Sequence, residues 1–179
     1  MQNHPINDLF TAYAGTGTDL NSRSIMWIKT RPTQIEEESL AIRAGVIYFM
    51  ALHADPVSLR QGITFVLDTT KNDMSNNVGN ESKLQKCFQS IPLRPQRIFI
   101  LGATWIKRIV INSLITIASF FTKEKVLERI MFCELEEVRK EVSDLSMPAY
   151  LGFHGGGLHS PEDLLSFIQK RIKNYPPIA

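Results

Sequence analysis

The chain has 179 residues, of which 44% are hydrophobic and 21% charged, enough apolar content for one globular domain with a full core. Its net charge of +2 excludes nucleic-acid binding driven by overall charge. The two cysteines, Cys87 and Cys133, stand in no metal-ligand spacing and predict reduced, buried thiols in a cytoplasmic protein.

Residues 1–18 read as a tail or linker, polar at the start and without the basic-then-apolar pattern of a secretory leader. Ala14-Gly15-Thr16-Gly17-Thr18 lacks the Gly-Lys-Ser/Thr ending of a phosphate loop and follows no strand. Asp19-Leu20-Asn21-Ser22 is turn chemistry. Ser24 to Lys29 then reads as a strand carrying Ile25, Trp27 and Ile28. Thr33 and Glu36 form a capping box for a helix reaching about Leu52, with Ile35, Ile42, Val46, Phe49 and Met50 toward a core. Asp55-Pro56 closes that helix. Ile63 to Leu67 is a second buried strand, ending at Asp68. A polar loop over Lys71–Asn80 leads into a helix from Glu81 to Ser90.

The organising unit follows. Ile98 to Ala103 is a short β-branched and aromatic run, read as a buried strand. Thr104 to Phe121 comes next, and only Lys107 and Arg108 in it carry charge. A helix this apolar has no ordinary wet face. It predicts a core helix, a membrane-contacting helix, or one that alternates between the two. Its longest apolar stretch, Ile109–Phe121, is interrupted by Asn112, Ser113 and Thr116 and falls short of the roughly 20 residues of a membrane span. The expectation is a soluble protein that at most touches a membrane. Residues 94–129 hold seven basic side chains against two acidic ones, so the basic excess sits on this unit. Basic residues at both ends of an apolar helix suit an anionic lipid surface.

Ile130-Met131-Phe132 reads as a short strand, and Glu134–Val142 as an amphipathic helix burying Leu135, Val138 and Val142. Leu145–Gly157 is a Pro- and Gly-rich closing loop. Ser160-Pro161-Glu162-Asp163 opens a last helix ending near Lys173. Strands alternating with helices predict an α/β fold, a mostly parallel open sheet flanked by helices.

Several patterns carry no chemistry on this reading. His154-Gly155-Gly156-Gly157 resembles an esterase oxyanion loop, but the chain has no Gly-x-Ser-x-Gly elbow, so no hydrolase is expected. Asp68 ends a buried strand, where α/β ligand sites occur, and is read as a loop cap ahead of a general base. His4, His53, His154 and His159 make no ligand spacing, so no metal is expected. Glu136, Glu137, Arg139, Lys140 and Glu141 read as a solvated helix face.

The order of motifs resembles the CRAL-TRIO lipid-binding domain, in the form found in the yeast phosphatidylinositol-transfer protein. The likeness rests on Asp19–Ile25, on Gly62–Asp68 as a strand ending in Asp, and on Ile91–Ala103 beside the family's Tyr-Pro-Glu-Arg segment and the strand after it. It continues in Trp105–Phe121 as the family's gate helix, in Lys125–Phe132, and in the closing Leu145–Gly152. Leu93 stands where phosphatidylinositol binders have Glu, and Phe153-His154 separates glycines that the family keeps adjacent. The resemblance implies a lobe over 19–175 without the N-terminal helical subdomain, and a mobile apolar gate helix over a lipid cavity. It implies one lipid lined by Phe65, Phe99, Leu101, Trp105 and Ile109, and by Leu114, Ile117 and Phe121. Lys125 and Arg129 would meet a headgroup, the plain alternative for Arg129 being a surface salt bridge with Glu128 or Asp144, and Lys107, Arg108 and Lys123 an anionic membrane. No catalysis, cofactor or nucleic acid is implied. The expected protein is cytoplasmic and peripheral to membranes, and serves lipid sensing, transfer or targeting. The rival expectation is a regulatory module of a larger signalling protein, of the GTPase-regulator or phosphatase type, with a degenerate cavity and a host protein or small GTPase as partner.

Overall fold

The computed structural model describes residues 17–29, 45, 48–70, 94–104, 128–153 and 161–177. The expected helix over Glu81–Ser90 and the apolar segment Thr104–Phe121, apart from Thr104 itself, lie outside them, as does His154–Gly157.

Four strands build the fold: β1 (Ile25–Lys29), β2 (Ile63–Asp68), β3 (Pro95–Leu101) and β4 (Ile130–Cys133). They form one sheet in sequence order, and every pair is parallel. This is the α/β architecture that the alternation predicted. Strands buried on both faces lose the apolar–polar alternation of a half-wet strand, which is why β2 and β3 read as continuous apolar runs.

Register decides which side chains share a face. Phe65 stands beside Ile98, and Val66 beside Phe99. One face, here the crossover face, carries Met26, Ile63 and Phe65 under Met50, Ala51 and Ala54 from the helical turn at 48–52 and the residues after it. The other, the closing face, carries Ile25, Trp27, Val66, Phe99, Leu101 and Cys133. It is sealed by Val138, Val142 and Met147. Each large apolar side chain closed in this way contributes about 2 kcal/mol.

Among the described residues, besides the helical turn at 48–52, three helices flank the sheet: α1 (Pro56–Gln61), α2 (Leu135–Arg139) and α3 (Pro161–Asn174). Asp55-Pro56, expected only to end a helix, also starts one. Asp55 is the N-cap of α1, its carboxylate accepting the Ser58 N–H at 2.8 Å, with Pro56 in the first turn. Gly62 then ends α1 at φ 90°, and a Cβ there would collide with the Arg94 carbonyl oxygen. Glu134 and Glu137 form the capping box of α2. The closing loop contains two single 3-10 turns, Asp144–Ser146 and Ala149–Leu151. α3 packs Leu164, Phe167 and Ile168 onto the crossover face over β1 and β2. Cys133 is a buried thiol whose Sγ stands 3.9 Å from the Ile100 carbonyl oxygen, and Cys87 lies outside the described residues.

Candidate functional site

Among the described residues the two halves of the sheet are covered differently. Over β1 and β2 the crossover face already has a second layer, from 48–54 and α3. Over β3 and β4 the same face carries a separate cluster of Ile100, Ala103, Ile130 and Phe132. All four come from the strands or from the loop just after β3, so among the described residues this patch is one layer deep. Ile98 sits between the two regions, packed against the β1–β2 cluster. The segment leaving β3 near residue 104 and returning at β4 is the one whose apolar character the sequence marked out.

Of the sequence-marked site residues, Phe65 lies on the crossover face within the β1–β2 core. Phe99 and Leu101 lie on the closing face, 1% and 2% exposed. The structure therefore does not bring Phe65 together with Phe99 and Leu101. Alternate residues of a strand point to opposite faces, and the β2–β3 register places Phe65 next to Ile98, not Phe99. Trp105, Lys107, Arg108, Ile109, Leu114, Ile117, Phe121, Lys123 and Lys125 lie outside the described residues. Ile98, Ile100, Ile130 and Phe132, which sequence reasoning did not single out as site residues, share the crossover face. The signal was present, since Ile98 and Ile100 alternate with Phe99 and Leu101, but the register that assigns the faces was not.

Arg129 is half-buried just before β4, and its Nη1 donates to the Pro95 carbonyl at 2.7 Å. Expected either on a phosphate or in a surface ion pair with Glu128 or Asp144, it tethers the start of β4 to the start of β3. Asp144 pairs instead with Arg139, at 3.1 Å. Arg97 leans over the closing face, with Nε 3.5 Å from Glu141 and Nη1 3.8 Å from the Met131 sulfur.

At the C-terminal end of β1 and β2 a buried polar chain joins three distant segments. The Trp27 indole N–H donates to the Tyr150 hydroxyl at 2.7 Å, and that hydroxyl donates to Asp68. Asp68 also accepts the backbone N–H and hydroxyl of Thr70, at 3.0 and 2.6 Å. Burial, then the hydrogen bond to Asp68 and its charge, hold the Tyr150 phenol well above its ordinary value. Asp68 is thus a receiver of hydrogen bonds that closes the loop, as its position at a strand end implied.

A second polar cluster lies between β1, α1 and α3. Asp55 accepts the hydroxyls of Ser24 (2.5 Å) and Ser58 (2.6 Å), and Arg171 donates to Ser24 at 3.2 Å. Burial pushes the Asp55 carboxyl up, but the Ser24 and Ser58 hydrogen bonds and the Arg171 charge outweigh it and hold the carboxyl below its ordinary value. The Asp55 carboxylate and the Ser24 and Ser58 hydroxyls are satisfied within the cluster, which is the arrangement of a structural network. Among the described residues no group of three metal-ligating side chains converges, and no helix is long and apolar enough to cross a membrane.

A family model described as the CRAL/TRIO domain matches residues 12–155. No curated protein matches the chain.

Proposed function

The chain belongs to the CRAL/TRIO domain family, whose members bind lipophilic ligands, and from that membership we propose that it holds one lipid against the β3–β4 half of the crossover face. The observation that carries the reading is the apolar patch of Ile100, Ala103, Ile130 and Phe132, a cluster separate from the two main cores among the described residues. Parallel neighbours are joined by right-handed crossovers, and a sheet wound in one direction gathers these on one face. Met50 and Ala51 identify that face for the β1–β2 connection. On the same rule, the β3–β4 connection is proposed to cross over the patch. In this reading the ligand lies between a floor that includes Ile98, Ile100 and Phe132 and a lid supplied by Trp105–Phe121, with Ile109, Leu114 and Ile117 as its proposed lining. Phe99 and Leu101 support the floor from behind. A lid apolar on nearly every side then has two surfaces to satisfy, the ligand when closed and a bilayer when open. Lys107, Arg108, Lys123 and Lys125 flank it and suit the anionic cytoplasmic surface of a membrane.

Mass spectrometry of the protein purified under native conditions tests this. One equivalent of a phospholipid or another hydrophobic molecule is expected. Ile117→Trp and Ile98→Trp should each reduce loading at least tenfold while the far-UV spectrum stays unchanged. A ligand-free native protein, or unchanged loading in both variants, overturns the reading.

A further inference from the structure

The two sides of α3 do different work. Leu164, Phe167 and Ile168 turn toward the β1–β2 core, and the buried Arg171 reaches Ser24 and lies 4.0 Å from Asp55. On the outer side Leu165 and Ile172 stand in solvent, 55% and 46% exposed. Seven residues separate them, so they fall within about 20° of each other around the helix and about 10 Å apart along it. Gln169, also exposed, lies between them on the same stripe. Single exposed apolar side chains are ordinary, but two at heptad spacing on one continuous helix of 14 residues make a seam.

Charge is sorted along the same helix. Glu162 and Lys173, both exposed, stand about three turns apart on one flank of the seam, the acid toward the N-terminal end and the base toward the C-terminal end. The apolar pair is centred between Ile168 and Gln169, and the charged pair between Phe167 and Ile168, only about 1.5 Å away along the helix. A two-fold axis passing near Ile168, perpendicular to the helix, reverses the helix direction and keeps the flank. It sets Leu165 against Ile172 of a second copy and Glu162 against its Lys173, twice each. A parallel pairing brings the acidic ends together and the basic ends together, which like charges oppose. An isologous interface needs this kind of self-complementarity. We infer that the outer face of α3 docks antiparallel on α3 of a second copy of the chain. One helix per copy is at the small end of interfaces, so the dimer is weak and reversible. It uses none of Ile100, Ala103, Ile130 and Phe132, and so stands apart from the lipid-binding reading.

Sedimentation velocity of the full chain from about 10 μM to about 1 mM tests the inference. A monomer–dimer equilibrium is expected. Leu165→Ser/Ile172→Ser should weaken it at least tenfold with an unchanged far-UV spectrum, since both side chains are exposed. Glu162→Lys and Lys173→Glu should each weaken it at least threefold alone. Mixed in equal amounts, these two variants should recover the parent's association as a heterodimer, because each copy then carries the sign that the other lacks. A monomer throughout the range overturns the inference. So does a dimer that Leu165→Ser/Ile172→Ser leaves intact, which places the contact elsewhere. A mixture of the two charge variants that associates no more tightly than either alone overturns the antiparallel pairing. A monomer that binds phosphatidylcholine vesicles through Leu165 and Ile172 gives the face to a bilayer instead.

Discussion

Two buried hydroxyl–carboxylate contacts decide how much of the fold depends on single residues. Tyr150 is 39% exposed, yet its hydroxyl reaches Trp27 and Asp68, which are 0% and 1% exposed. Tyr150→Phe keeps the ring and strips the hydroxyl, leaving a buried carboxylate and an indole N–H each short of one partner. A loss of about 2 kcal/mol is expected in urea unfolding, with a shift in the Trp27 emission. Asp55 argues in the other direction along the pH axis. Its folded-state pKa lies below the ordinary value, so the stability it contributes is complete above the unfolded-state value near 3.8 and is lost as pH falls through the folded-state value. Asp55→Asn removes both the charge facing Arg171 and a good acceptor for two hydroxyls. It should cost about 3 kcal/mol at pH 7 and flatten the acid limb of a melting-temperature profile below pH 4. An unchanged acid limb would show that other carboxylates set it.

At the scale of elements, the strands were legible because a parallel strand buried on both faces is a short apolar run bounded by turn residues, and 63–67 and 98–103 have that form. The price of that signal is parity, since the same run hides which residues share a face. Phe65 and Phe99 therefore read as one lining, and only the pairing of Val66 with Phe99 separates them. Asp55-Pro56 was ambiguous for a related reason. Asp before Pro stops one helix and caps the next with the same atoms, so the pair announces a boundary without saying how many helices meet there. The Trp27–Tyr150–Asp68 chain had no local signal, because its members are 123 and 82 residues apart. The assignment of faces has a direct test. Phe99→Ala opens a cavity in the sealed closing face and should cost about 3–5 kcal/mol. Phe132→Ala, on the half-buried floor of the crossover face, should cost far less while weakening lipid retention several-fold. Equal stability losses with equal lipid retention would place the ligand away from this patch. Arg129 belongs to this scale as well. Its contact with the Pro95 carbonyl uses one of five N–H donors and leaves the others available for a phosphate. Arg129→Glu should lose a phosphorylated headgroup, and intact phospholipid loading in that variant would confine Arg129 to strand positioning.

For the whole molecule, net charge and charge distribution point to different behaviours, and under the proposed function the distribution would govern encounter with a membrane. The chain carries only +2, yet residues 94–129 hold seven basic side chains and two acidic ones. The remainder of the surface is therefore acidic in balance and is repelled by an anionic leaflet. Under the proposed function such a chain would approach an anionic leaflet with its basic 94–129 stretch leading. That stretch also contains the most apolar segment of the chain, so electrostatic approach and apolar insertion would act on the same residues. Lys107, Arg108, Lys123 and Lys125 near the surface contribute about 1 kcal/mol each, which sums to a strong preference for anionic over neutral vesicles at low salt. Between exposed charges the attraction fades over a Debye length, about 10 Å at 0.1 M salt and about 3 Å at 1 M. Co-sedimentation with phosphatidylserine-containing vesicles should accordingly be strong at 50 mM salt and fall at least tenfold by 500 mM. Lys107→Glu/Arg108→Glu should abolish it while leaving a preloaded lipid in place. Equal binding to neutral and anionic vesicles would mean that insertion alone drives contact, and binding unaffected by that double substitution would move the membrane-facing side away from the lid.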